Sequence, residues 1–512
     1  MKKMSINKKI TINKKFKIIL VALLFVIVIT AVVLIAMHGL KDEEQNLSSY
    51  RMELSYNNTS HSLSGKEEVT FVNNYENMFT YLLFHLYPNA FREDAINRVV
   101  SQAEQDHAYP NGESYGNITI NSVTYNDEPL KFSIEGEDEN ILRVELPVEV
   151  YPDESVTVTI DFDITLANIN HRLGYGNNTI NLGNFYPILC VYEDGVGFKT
   201  DLYHSNGDPF YSNTANYDVT LTYPSSLTMA SSGKVISLSN SSEQVEPSTT
   251  TNHIKGENIR DFAIVLSEIF EVESQKVGDT TVNYYGYQGD KTRQTCLETS
   301  VEALETFSDL FGDYPYSTLN VVKTNFVHGG MEYPNLVYIS DDVPEEDLAY
   351  VIVHEIAHQW WYGVVGNDEY NHAWMDEGLA EYSTLMFFEE HSSYGLDAKQ
   401  MVTNATTSYK TFVRVYTSVN GEVDTSMERN LSQFATEPEY VQCTYTKGLI
   451  MFDTIRKSVG DKKFTKALQN YYEDFAYKNA SPADMIASFS KTTHSDLEGF
   501  FLSWLTGEVV IQ

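Results

Sequence analysis

The densest potential chemistry in the chain is the pentapeptide His354-Glu355-Ile356-Ala357-His358. On a helix, i and i+4 spacing sets both imidazoles on one face, one turn apart, where they can share a metal ion while Glu355 projects beside them. With 13 His and 71 Asp+Glu in 512 residues, chance supplies only ~0.05 such patterns per chain. The alternative is a pair of helix histidines satisfied by ordinary hydrogen bonds. A further carboxylate, Glu377, follows nineteen positions after His358 in the segment WMDEGLAEY. Two neutral imidazoles and one carboxylate leave a tetrahedral zinc ion one open position, as catalysis requires. Zinc lowers the pKa of water held there to about 7, and Glu355 can take its proton during attack on a carbonyl. No thiolate lies nearby, so soft-ligand metals fit less well.

These residues need helices to carry them, and the second half of the chain supplies helical spacing of apolar residues. It predicts helices over residues 292–310, 345–362, 375–390, 440–458, 462–475 and 481–492, with strands at 319–324 and 336–339. The first half has a different texture. Segments 51–56, 68–72 and 155–162 alternate apolar with polar residues, the period-two pattern of half-buried strands. This predicts an all-β antiparallel layer, saddle- or sandwich-like, over residues 50–280. A Ser/Thr/Asn-rich stretch at 237–252 reads as an exposed loop. An α+β, mainly helical domain is expected over residues 281–512.

The context of the metal motif is similar to the M1 family of zinc metallopeptidases, the gluzincin aminopeptidases. The likeness extends from HEIAHQWWYG and WMDEGLAEY to Gly329-Gly330-Met331-Glu332-Tyr333, which resembles that family's GxMEN motif. It also takes in Tyr445 within TYTKG and the closing segment 496–507. The resemblance implies a thermolysin-like catalytic domain with one zinc ion per chain, held by His354, His358 and Glu377. By the same resemblance Glu355 is the general base, Tyr445 an oxyanion donor, and Glu332 a ligand of the substrate α-amine. Gly329, Gly330 and Met331 would run as an extended edge beside the peptide.

Three departures from that family stand out. Tyr333 replaces the motif's Asn, no residue of the β region matches the second amine ligand many members use, and the chain stops at Gln512 without the large helical C-terminal domain. The implied activity is an aminopeptidase acting on peptides; a zinc endopeptidase on the same site and a non-catalytic surface binding module are the alternatives. Glu381 shares the helix face of Glu377 and is either an acceptor for a ligand imidazole or a solvated carboxylate. His328 and His372 lack ligand spacing, and Trp360-Trp361 reads as core packing.

Charge and hydropathy bound the setting. The formal net charge is −36, which excludes a nucleic-acid binder working by phosphate neutralisation. Seven of the 35 cations, all lysines, lie among the first seventeen residues, where there is no acid; the rest of the chain therefore carries −43. Residues 18–37 are twenty apolar or small positions with no charge, long enough at 1.5 Å per residue to cross a ~30 Å hydrocarbon core. A signal h-region is shorter and ends in a small-x-small site. The run therefore reads as a single-pass anchor, with residues 1–17 a cytoplasmic basic tail, 38–49 a spacer, and the catalytic domain outside the cell membrane. Cys190, Cys296 and Cys443 are isolated and suggest neither a disulfide framework nor a Cys zinc site.

Overall fold

The computed structural model describes residues 46–240, 248–509 and 511. The basic tail and the apolar run at 18–37 lie outside the described residues. Among the described residues no helix is long and apolar enough to cross a membrane. Residues Leu47–Gln512 form one compact unit in which a sheet-rich half precedes a helical half.

The period-two pattern does what it predicts in the first half. In Ser49–Asn57, Tyr50, Met52, Leu54 and Tyr56 are buried while Arg51, Glu53 and Ser55 face solvent. This strand lies near the middle of an eight-stranded sheet. The order is Lys234–Asn240, Thr249–Ile259, Ala215–Pro224, Ser49–Asn57, Ser62–Val72, Ser155–Thr165, Asn117–Tyr125 and Glu128–Pro129. The sheet is not wholly antiparallel as expected, because Ser49–Asn57 pairs in parallel with Ala215–Pro224. Two four-stranded sheets pack with it around a core that includes Met52, Phe71, Phe162 and Leu221.

The expected loop at 237–252 is strand at both described ends, since Lys234–Asn240 and Thr249–Ile259 pair with each other. Its polar residues serve an outer sheet face, where Thr222 and Thr251 share a hydrogen bond of 2.8 Å. Residues 241–247 lie outside the described residues.

The second half opens on a five-stranded sheet in the order Phe270–Val277, Thr280–Tyr287, Thr318–Thr324, Leu336–Ser340 and Gly330–Met331. Position 281 falls one residue into the second strand of its hairpin. The last strand, Gly330–Met331, is an edge, paired only with Leu336–Ser340 among the described strands. Helices Arg293–Phe311, Leu348–Ala357, Asp376–Glu390, Lys447–Val459, Asp461–Phe475, Pro482–Thr493 and Glu498–Leu505 build a second core behind this sheet.

Helical expectations change away from the cavity as well as beside it. The motif helix ends at Ala357 rather than at 362, because Trp360 and Trp361 turn inward to donate their indole N–H groups to the Gly312 carbonyl and the Ser383 hydroxyl. Ala398–Asn420 is a helix the apolar pattern does not announce: only Tyr409 and Phe412 of its residues are fully buried, and its many Thr and Val side chains have weak helix propensity.

The crossing of Asp376–Glu390 with Lys447–Val459 is set by two glycines. A Cβ on Gly448 would lie 2.7 Å from the Cα of Gly378, so these backbones meet with no side chain between them. That contact sits one residue after Glu377 and three after Tyr445.

Candidate active site

His354 occupies the last turn of the motif helix and His358 the position that closes it, still with helical dihedrals. Glu377 stands in the first turn of the Asp376–Glu390 helix. The three ligand atoms form a near-equilateral triangle. Nε2 of His354 and Nε2 of His358 are 3.2 Å apart, and Oε2 of Glu377 is 3.3 and 3.2 Å from them respectively. Ligand bonds of about 2.0–2.1 Å in a tetrahedron have edges of about 3.3 Å, so the triangle has the size of a zinc site's face.

The protons agree with that fit. Nδ1 of His358 lies 3.0 Å from the Trp361 carbonyl, to which only an N–H can donate. Nδ1 of His354 lies 3.2 Å from Oε2 of Glu381, whose other oxygen accepts from the Tyr350 hydroxyl. With Nδ1 of His358 donating to a carbonyl and Nδ1 of His354 beside a carboxylate, both Nε2 atoms and an oxygen of Glu377 converge in a buried space, an arrangement that a cation stabilises. Of the two readings open for Glu381, it is the contact with a ligand imidazole that the geometry supplies.

Glu355 is buried, and its Oε2 has no hydrogen-bond partner. Gly330 of the edge strand lies directly over it: any Cβ there would collide with the Glu355 carboxylate. Tyr445 donates its hydroxyl to Oε1 of Glu377 and stacks on His354 with ring centroids 5.8 Å apart. It sits in a π turn, Gln442–Thr446, that interrupts what the apolar pattern predicts as one helix. Such a turn rotates the side chains after it relative to those before, and π turns are frequent at functional sites.

Glu332 is 3% exposed, and its Oε1 has no partner. Burial, with Asp208 and Glu355 nearby, pushes its carboxyl well above the usual carboxylate range. Its main chain is clamped by Gln359, the residue after His358, whose amide donates to the carbonyls of Glu332 at 3.3 Å and Tyr333 at 3.2 Å.

Strand alternation divides the side chains of this edge. Gly330 and Glu332 face the cavity, but Met331 between them is fully buried against the sheet-rich core, its sulfur 3.5 Å from Nη1 of Arg172. Tyr333 also turns away and donates to Oδ1 of Asn184 at 2.6 Å. The ring that replaces the motif amide is therefore a packing group.

A cavity of about 440 Å³ covers the triad, walled by Gly329, Gly330, Glu332, Tyr440 and Tyr445 together with Arg172 and Asp208 of the sheet-rich half. Asp208 is the acid that sequence reading missed. It pairs with Arg172 and offers an oxygen within 4.8 Å of oxygens of Glu332 and Glu377. Nothing in its segment, DLYHSNGDPF, marks it out. His328 lies at the rim of the cavity, whereas His372 pairs with Glu428 at 2.7 Å. Trp360 and Trp361 are core, as expected.

A helical domain with a buried His-His-Glu triangle, a carboxylate beside it and a strand edge over that carboxylate is the arrangement of a zinc peptidase. Residues 295–504 match the peptidase family M1 domain, and zinc is the metal whose site the His-His-Glu triangle fits. It is 25% identical over 256 residues to aminopeptidase M1-B of Oryza sativa subsp. japonica, covering 47% of this chain and 29% of that one. It is 29% identical over 238 residues to human endoplasmic reticulum aminopeptidase 2, covering 42% and 23%. The chain thus spans less than a third of the length of these relatives. The fold is similar to that of an M1 zinc metallopeptidase from Deinococcus radiodurans, with TM-score 0.64 and 17% identity over 91% of this chain and 96% of the other.

Proposed function

We propose that this chain is a zinc-dependent aminopeptidase that releases N-terminal residues from peptides. The observation that carries the reading is the pair of acids beside the metal triangle, the unpartnered oxygen of Glu332 and the carboxylate of Asp208. A free α-amine brings the positive charge that Glu332 lacks, Asp208 already having Arg172, whereas the amide of an internal peptide bond has no charge to offer.

A zinc ion held by His354, His358 and Glu377 would supply Lewis acidity and would lower the pKa of water to about 7. Glu355 accepts the proton of the attacking water and returns it to the leaving amine. Tyr445 turns its hydroxyl from Glu377 to the oxyanion of the substrate, a contact worth about 3–4 kcal/mol. The Gly330 edge pairs with the peptide main chain, and only glycine lets that edge pass over Glu355. Tyr333, facing away from the cavity, gives no support to cleavage within a chain.

Metal-free protein should not hydrolyse alanyl-p-nitroanilide and should recover on addition of zinc. Glu355→Gln should retain zinc yet lose about 10²–10⁴-fold in kcat. Hydrolysis indifferent to chelation would end the reading, and an inactive wild type equal to Glu355→Gln would favour a binding module.

For location we propose a single-pass anchor at residues 18–37 with the catalytic domain on the outer face of the cell membrane, supported by the apolar run and the seven lysines before it. Release from membranes by high salt without detergent would contradict it.

A further inference from the structure

Two carboxylates of the cavity have no place in the reaction just described. Glu104, from the sheet-rich half, and Glu437, from the helical half, meet across the cavity rim at His328, with one side-chain atom of each of the three within 4.8 Å of the others. Both acids are half-buried. Among the described residues no Lys or Arg forms an ion pair with either. The nearest nitrogen to Glu104 is Nδ1 of His328 at 3.9 Å, and burial together with Arg172 holds that imidazole neutral, down at about 3. His107 also acts on Glu104, but it is held by Asp342 at 2.7 Å. Burial and the charge of Glu104 push the Glu437 carboxyl up to about 7. Two acids facing each other in a partly desolvated rim repel, and a cation between them removes that cost.

The rest of the cavity cannot supply that cation. Glu377 serves the metal, Glu381 serves His354, and the one guanidinium, Arg172, is taken by Asp208. Oε1 of Glu332, nine-tenths buried and more, also points unpartnered into the cavity; an α-amine satisfies it and leaves the rim pair untouched.

Direction along the edge strand fixes what reaches the rim. From Glu332 the chain runs back through Gly330, over Glu355, to Gly329, beside Val351 one helical turn earlier, and then to His328. A peptide with its amine at Glu332 and its scissile carbonyl at the metal triangle extends its leaving part the same way, at about 3.3 Å per residue.

We propose that Glu104 and Glu437 form an acidic subsite on the leaving-group side, which takes the Lys or Arg side chain of the second or third residue of the substrate. This rests on the aminopeptidase reading and names the substrates within it. The subsite takes a cation, and a divalent metal ion is the competing occupant.

The test compares kcat/KM for Ala-Lys-Ala and Ala-Ala-Lys with Ala-Glu-Ala and Ala-Ala-Glu, using the zinc-loaded full chain. At least one lysine peptide should exceed its glutamate partner by about tenfold or more. Raising salt to about 1 M should shrink the ratio, because part of it is screened. The same ratio should fall close to one in the double variant Glu104→Gln, Glu437→Gln; as it is measured within each protein, the amount of active enzyme cancels. Equal rates across the wild-type series, with alanyl-p-nitroanilide still hydrolysed, would overturn the subsite and leave the aminopeptidase reading standing. No turnover of any of these compounds would overturn both. Calcium binding to the zinc-loaded protein, one ion per chain and lost in the double variant, would make the rim a metal site instead.

Discussion

Replacing Gly448 with alanine probes how the fold holds Tyr445 on the metal ligand. The new Cβ would stand 2.7 Å from the Cα of Gly378, where ordinary contact needs about 3.5–4 Å, so the two helices must part by about 1 Å. Overpacking of this kind costs about 1–3 kcal/mol, a loss of a few degrees in Tm for a chain of this size. The larger effect falls on chemistry. Glu377 precedes one glycine by a single residue and Tyr445 precedes the other by three, so the displacement acts directly on their contact. A misplacement of about 1 Å costs up to about 10²-fold.

The assay is kcat/KM on alanyl-p-nitroanilide with Tm and zinc content measured on the same preparation. Gly378→Ala should be milder, since its Cβ would meet Gly448 at 3.3 Å and a Phe452 ring at 3.2 Å. Gly499→Ala, which meets nothing within 4 Å, should leave activity and Tm intact. Full activity and unchanged Tm in Gly448→Ala would refute the glycine crossing as the positioning device. Loss of zinc in step with loss of activity would show that the variant disturbs the metal site rather than the tyrosine.

Tyr445→Phe should lower kcat by about 10²–10³-fold with little change in KM, because its hydroxyl is assigned to the transition state; a change confined to KM would assign it to substrate binding. Glu381→Leu should weaken zinc about 10–100-fold in competition with a chelator, with Glu381→Gln recovering part of the loss; equal affinity in all three proteins would reduce the His354 contact to packing. Gly330→Ala should lower kcat with the metal retained, since its methyl group displaces Glu355; wild-type rates would show that the edge strand can yield.

The residues that share a metal were legible because a helix converts i, i+4 spacing into proximity, and Glu377 because its helix opens with a recognisable segment. Residues that approach only through tertiary packing were not. Asp208 and Glu104 come from the sheet-rich half, and no local periodicity records which loop closes over which helix. Gln359 looks like any polar residue after a motif until its amide is seen on the Glu332 carbonyl. Met331 was read with its neighbours as an edge, and it lies on that edge strand; that alternation sends its side chain into the sheet-rich core was not announced. The strands at both ends of 237–252 were hidden because an outer sheet face accepts the same Ser and Thr that fill loops. The helix Ala398–Asn420 was hidden because little of it is buried.

The most direct measurement of the central claim is a paired digest followed by mass spectrometry. One peptide is offered to the zinc-loaded protein with a free N-terminus and, separately, with the same N-terminus acetylated. Stepwise loss of N-terminal residues is expected from the free peptide and none from the acetylated one, because the unpartnered Glu332 is assigned to a charged amine. Internal cleavage of the acetylated peptide at a comparable rate would contradict it.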